Sequence, residues 1–84
     1  MSYAVRILPK AEKELGALEK AVYESVKRKV FELAANPRPP GCRKLQDRIG
    51  WRIRVGNYRI VYEIEDAAKI VTVLKVAHRK DVYR

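Results

Sequence analysis

Residues 51–64, Trp-Arg-Ile-Arg-Val-Gly-Asn-Tyr-Arg-Ile-Val-Tyr-Glu-Ile, constrain the fold more than any other stretch of this chain. Apolar and basic residues alternate from Trp51 to Val55, and alternation resumes after Gly56-Asn57. This period of two belongs to a strand with one face on a core, and glycine at the first central position of a two-residue loop suits a type II′ hairpin turn. With Gly56 and Asn57 as the loop, Val55 pairs with Tyr58, Arg54 with Arg59, Ile53 with Ile60 and Arg52 with Val61. Trp51, Ile53, Val55, Tyr58, Ile60 and Tyr62 then share a face that other elements can bury. Arg52, Arg54 and Arg59 share the opposite face.

The elements that bury the apolar face lie upstream. Residues 3–8 are β-prone and stop at Pro9, whose fixed φ and missing N–H suit the first position of a helix. Ala11, Leu15 and Leu18 recur at helical spacing, and Val22, Val26, Val30 and Leu33 form a second such series, ended by Asn36-Pro37. The pattern predicts two helices broken near Glu19 to Ala21. Asn36-Pro37-Arg38-Pro39-Pro40-Gly41 is a loop, because its prolines and glycine exclude regular pairing. After the hairpin, Glu65 to Ala68 turn the chain into a last strand over Lys69 to Ala77. The expectation is an α+β fold of order β-α-α-β-β-β, its helical hairpin packed on one face of a four-stranded, mainly antiparallel sheet. With 84 residues the chain has room for one modest core, so residues 1–84 are expected to form a single domain.

The formal charge is +9, which calls for a polyanionic partner, either nucleic acid or an acidic protein segment. Residues 41–84 carry eleven Lys/Arg against five Asp/Glu, a stronger bias than the eight against five of residues 1–40. One Cys and one His cannot supply the four ligands of a structural zinc site, so no metal and no cofactor are expected. The first ten residues charge too quickly for a signal peptide, and no apolar run reaches the length of a membrane span. A lone cysteine, Cys42, fits a reducing compartment, and the cytoplasm is the expected location, without membrane contact.

The hairpin register sets Arg54 directly opposite Arg59. Like charges facing each other across a strand pair are destabilising, so the pair costs stability unless an anion lies between them. The simpler reading is a solvated face of splayed side chains. On the last strand Lys75, Ala77 and Arg79 share one side, which would bring Arg79 to the cationic face, and His78, Lys80 and Tyr83 follow close by. Arginine offers a planar fork of donors for phosphate and stacks on bases, so this composition suits single-stranded RNA better than a DNA major groove.

Arg52-Ile-Arg54-Val-Gly-Asn-Tyr58-Arg59-Ile-Val-Tyr62, preceded by Asn36-Pro37-Arg38 and Lys44-Leu45 and followed by His78-Arg79-Lys80-Asp81-Val82-Tyr83, resembles the RelE/ParE superfamily of toxins over essentially the whole chain. The resemblance to its RelE-like branch implies an mRNA interferase that cuts messenger RNA on the ribosome without metal, directing the ribose 2′-hydroxyl onto the adjacent phosphate. By position, Arg59 and Arg79 match arginines that hold the scissile phosphate, and Tyr83 matches a functional tyrosine. Arg52 and Arg54 fall where the best-known members carry lysine; as arginines they can stabilise charge but cannot act as bases. Lys44, Arg48, Lys75, His78 and Lys80 are the further candidates for RNA contacts, and the proton acceptor would be Tyr83, His78 or a less obvious group. The resemblance also implies a cognate antitoxin that holds the toxin inactive. Two other readings share the same residues: a ParE-like gyrase poison without nuclease activity, and a non-catalytic RNA-binding module.

Overall fold

The computed structural model describes residues 2–82. In chain order these form β1 (Ala4–Ile7), α1 (Pro9–Gly16), α2 (Lys20–Ala35), β2 (Arg43–Lys44), β3 (Trp51–Val55), β4 (Tyr58–Glu65), β5 (Ile70–His78) and a short α3 (Arg79–Val82). The strands make one sheet in the order β1-β5-β4-β3-β2, with β1 parallel to β5 and all other neighbours antiparallel. The class and the element order are those expected, with one strand and one short C-terminal helix more. That strand, β2, is two residues long and too short to show a period in the sequence; it pairs Arg43 with Arg52 and Lys44 with Trp51.

The β3–β4 hairpin has the register that its alternation dictates, from Val55 opposite Tyr58 to Trp51 opposite Tyr62. Gly56 has φ +59, and Asn57 is not among the positive-φ residues, as a type II′ turn requires. Ile53, Ile60 and Tyr62 are buried against the helices together with Val71, Val73 and Val76 of β5, while Trp51, Val55 and Ile64 pack around them half-buried. Arg54, on the other face, is exposed.

α1 starts at Pro9, as expected, has no side-chain cap, and buries Ala11 and Leu15. It stops at Gly16, so the break falls over residues 17–19, slightly earlier than expected. Glycine loses more conformational freedom on becoming helical than any other residue, which favours the stop there. α2 buries Val26, Val30 and Leu33 at helical spacing.

β5 does not keep a single alternation. Val61 pairs with Lys75 but Tyr62 pairs with Val73, so Leu74 is an extra residue, a β-bulge. Strict alternation would put Val71 and Val73 on the same side as Lys75 and Ala77. The bulge reverses the face, and so Val71, Val73 and Val76 all reach the core while Lys75 stays outside. Just past the bulge the Val76 N–H donates to Oε1 of Glu14, 2.9 Å away on α1.

A polar clamp ties the proline-rich loop to the β4–β5 turn. Arg38 donates to both carboxylate oxygens of Asp66, at 3.2 and 3.0 Å, and the Tyr3 hydroxyl donates to the same carboxylate at 2.6 Å. The guanidinium also lies 5.1 Å from the centroid of the Trp51 ring. Beneath it the buried Tyr62 hydroxyl donates to the Pro37 carbonyl at 2.7 Å. Burial, and next the neighbouring Cys42, push the Tyr62 hydroxyl well above the ordinary phenol range.

Two outcomes follow. Glu14→Ala leaves the Val76 N–H unsatisfied and should cost about 1–3 kcal/mol in urea unfolding, whereas Glu14→Gln keeps an acceptor oxygen and should cost less. Hydrogen bonds first from Arg38 and then from Tyr3 hold the Asp66 carboxyl at about 2, below its ordinary 3.8. A carboxyl depressed in the folded state stabilises above its unfolded value, and that contribution fades as pH falls through the folded one. The stability difference between wild type and Asp66→Asn should therefore be constant above about pH 5 and shrink as the pH falls from 3.8 toward about 2, read by thermal melts.

Candidate nucleic-acid interface

Strand pairing sorts the outward-facing residues into rows that run across the sheet. Arg43, Arg52, Val61 and Lys75 make one row, and Arg54, Arg59 and Ala77 the next. Two adjacent rows thus hold four arginines and a lysine on the face away from the helices. Arg54 Nε donates to the Gly56 carbonyl at 2.9 Å, which holds its side chain near the hairpin turn. Arg59 is half-buried, and its Nη1 atom is fully covered.

Gly41, Arg43, Arg52, Arg54 and Arg59 surround a cavity of about 80 Å³. Beside it lies an open cleft of about 960 Å³, with Arg52, Val61 and Lys75 on the sheet side and residues Cys42 to Arg48 on the other. Arg43 and Arg52 line both spaces. The cleft wall is a tight loop closed by a hydrogen bond from the Leu45 N–H to the Gly50 carbonyl at 2.9 Å. Gly50 has φ +140, and a Cβ there would come within 3.0 Å of Leu45 Cδ1 and 3.2 Å of the Tyr62 carbonyl, so the loop requires glycine at this point.

The sequence candidates divide between places. Arg52, Arg54 and Arg59 come together around the smaller cavity, and Arg48 and Lys75 line the cleft. Lys44 borders the cleft, although by register it shares the face of Trp51. Arg79 is the exposed first residue of α3; its N–H donates to the Asn57 carbonyl at 2.7 Å, and it lines neither cavity. Lys80 is exposed on the same short helix. Tyr83 lies outside the described residues.

His78 sits apart from these arginines. It pairs with Tyr58, one residue beyond the Arg59–Ala77 pair, and alternation turns it to the helix side. Its ring meets Tyr58 edge-on at 5.4 Å, and its Nδ1 accepts from the Lys80 N–H at 3.3 Å. It thus lies on the face opposite Arg59 and Ala77 and lines neither cavity. Arg43 is the residue that sequence reasoning missed. Its only signal was a basic residue after Pro-Pro-Gly, and its partner Arg52 emerges only once β2 is paired. Among the described residues no group of three or more His, Cys, Asp or Glu is arranged to hold a metal.

Residues 5–83 match the model of the family described as ParE toxin of type II toxin-antitoxin system, parDE. The chain belongs to the ParE toxin family. The curated Toxin RelG of Mycobacterium tuberculosis is 33% identical to it over 86 residues, covering 100% of this chain and 99% of that protein. A putative RelE-like toxin protein of Escherichia coli is 31% identical over 87 residues, covering 99% and 92%. Among solved structures, the toxin–antitoxin complex RelBE2 of M. tuberculosis matches with a TM-score of 0.83 at 28% identity, covering 94% of this chain and 100% of that one. The archaeal RelE–RelB complex of Pyrococcus horikoshii OT3 matches with a TM-score of 0.83 at 29% identity, covering 94% and 97%. The RelE/ParE resemblance of the hairpin and the C-terminal stretch thus extends to the whole ParE-family fold, and the chain is a RelE-like toxin of the type II toxin–antitoxin class.

In this ParE-family chain the stacked cations repel one another, and a bound oxyanion relieves that repulsion through charge-assisted hydrogen bonds. Inorganic phosphate should accordingly raise the melting temperature of the wild type more than sodium chloride of equal ionic strength does. The excess should be smaller in Arg54→Gln, which removes one of the facing charges.

Proposed function

We propose that this chain is a single-domain ribonuclease toxin that cuts messenger RNA on the ribosome by turning the ribose 2′-hydroxyl onto the adjacent phosphate. The observation that carries this reading is the small cavity walled by Arg43, Arg52, Arg54 and Arg59, where four guanidinium-bearing residues from three strands border one space of about 80 Å³. In the reaction the 2′-oxygen forms a bond to phosphorus, the P–O5′ bond breaks, and the products are a 2′,3′-cyclic phosphate and a 5′-hydroxyl. Charge accumulates on the non-bridging oxygens, and preorganised cationic donors stabilise it more than they stabilise the ground state. Arg59 and Arg54 would hold the scissile phosphate, with Arg52 beside them; Arg79 and Tyr83 would complete the site from the C-terminal segment.

Arginine does not take up a proton at neutral pH, so these arginines position and stabilise rather than act as the base. With the RNA held by the ribosome for in-line attack, orientation would supply much of the remaining rate. Relatives such as RelBE2 are toxin–antitoxin complexes. By the same logic an acidic antitoxin segment would cover the cationic face of this +9 chain and silence it. The cytoplasm, where ribosomes and messenger RNA meet, would be its place of action. The family description names ParE, which keeps gyrase inhibition as the second reading.

Ribosome-programmed cleavage separates the two. Arg59→Ala and Arg79→Ala should each lower cleavage by roughly 10²-fold or more, with 5′-hydroxyl ends at the cut in the wild type. Intact messenger RNA alongside gyrase-linked DNA breaks would instead establish the second reading.

A further inference from the structure

Of the four arginines around the small cavity, Arg43 has the least backbone support. Arg52, Arg54 and Arg59 stand on β3 and β4, strands of five and eight residues inside the sheet. Arg43 stands on β2, an edge strand of two residues, and faces Arg52, a like charge that pushes it away. Its place at the cavity wall therefore depends on the segment that leads into β2.

That segment is short and stiff. Pro39 and Pro40 have φ locked by their rings, and the Cys42 N–H donates to the Pro39 carbonyl at 3.1 Å across a turn in which Gly41 takes φ +94. Proline second and glycine third is the pattern of a type II turn. Upstream of the turn the chain is fastened twice on the core face of the sheet. The Tyr62 hydroxyl holds the Pro37 carbonyl, and the Arg38 guanidinium lies over Trp51, the cross-strand partner of Tyr62. Asp66 then closes on Arg38 from the β4–β5 turn with two hydrogen bonds, and Tyr3 holds Asp66 in turn. Downstream of the turn Arg43 takes its place beside Arg52 on the opposite face. Residues 37–43 thus carry the chain from the core face to the cationic face.

Arg38 lines neither cavity, and its charge is matched by Asp66. Exposed ion pairs add little to stability, so a bidentate pair laid on an aromatic ring is better explained by what it holds in place. We propose that Arg38, clamped by Asp66, is a positioning residue that sets Arg43 at the small cavity through the turn of residues 39–42. Its use in RNA cleavage rests on the ribonuclease reading above, whereas its effect on anion binding does not.

Asp66→Ala separates positioning from charge. It removes a carboxylate from an exposed turn, leaves every arginine in place and raises the net charge above +9, so charge alone predicts tighter anion binding. Loss of the clamp predicts the reverse. With inorganic phosphate titrated into labelled protein, Asp66→Ala and Arg43→Ala should each weaken binding roughly 10-fold. Adding Asp66→Ala to Arg43→Ala should change nothing further, because the first residue acts through the second. The Nε–Hε resonance of Arg43 should move in Asp66→Ala before any phosphate is added, while amide-resonance dispersion reports whether the fold persists. Arg38→Gln opens the clamp from the other side, and its effect should likewise vanish in the Arg43→Ala background. Unchanged or tighter phosphate binding by folded Asp66→Ala, or losses that add to that of Arg43→Ala, would overturn the proposal. Ribosome-programmed cleavage is the second arm, where Asp66→Ala should slow the cut about as much as Arg43→Ala does. Full cleavage by Asp66→Ala would sink the positioning role and leave the ribonuclease standing. The expected phosphate pattern without any cleavage by the wild type would support the positioning role and refute the ribonuclease reading.

Discussion

The bulge at Leu74 is the constraint on which both faces of the sheet depend. β5 is the longest strand and touches β1, β4, α1 and α3, so an error in its register would move apolar residues into solvent and Lys75 into the core. The extra residue allows Val71 and Val73 to face the helices at one end and Val76 at the other, while Lys75 and Ala77 line up outward with Val61 and Arg59. Such an interruption disturbs the ladder locally, and a buried N–H without an acceptor costs as much as a lost hydrogen bond. Glu14 supplies the acceptor from α1, which also pins the helix to the strand it covers. Packing and the outward cationic face are thus set by the same local irregularity.

The cationic face stands at odds with the stability of the fold it is built on. Arg43 opposite Arg52 and Arg54 opposite Arg59 are two like-charge pairs on neighbouring rungs, each unfavourable by a few tenths of a kcal/mol to about 1 kcal/mol before screening. Elsewhere the chain compensates with unlike partners. Arg38, Asp66, Tyr3 and Trp51 form a cluster that fastens the proline-rich loop to the β4–β5 turn, on the side of the molecule that needs no anion. Opposite charges serve the scaffold and like charges crowd the site, a division that makes sense where a polyanion completes the set.

The hairpin was legible because its signal is repeated: six apolar residues alternate around one glycine turn, and a one-residue slip would turn an arginine toward the core. The helices were legible for the same reason, from Ala11 and Leu15 to Leu33. The bulge was not legible, since Val71 to Ala77 reads as a continuous β-prone run in which nothing marks Leu74 as the extra residue. Two further failures followed from short range. β2 is two residues long, and so Arg43 could not be seen as the neighbour of Arg52. The end of the last strand was the other: alternation from Lys75 and Ala77 was carried on to Arg79, whereas the strand ends at His78 and Arg79 begins α3.

Arginine at positions 52 and 54 bears on the chemistry of the site in the reading proposed above. A lysine can be pushed toward neutrality by neighbouring cations and then accept a proton, but a guanidinium stays charged through the range in which a ribosome works. The cavity walled by Arg43, Arg52, Arg54 and Arg59 therefore offers cationic donors and no proton acceptor among those four side chains. In that reading the proton acceptor is another group, and His78 is turned to the helix side against Tyr58. If the proposed cleavage takes place there, its rate would depend on how well the 2′-oxygen is aligned with the breaking bond, and so on whatever orients the RNA.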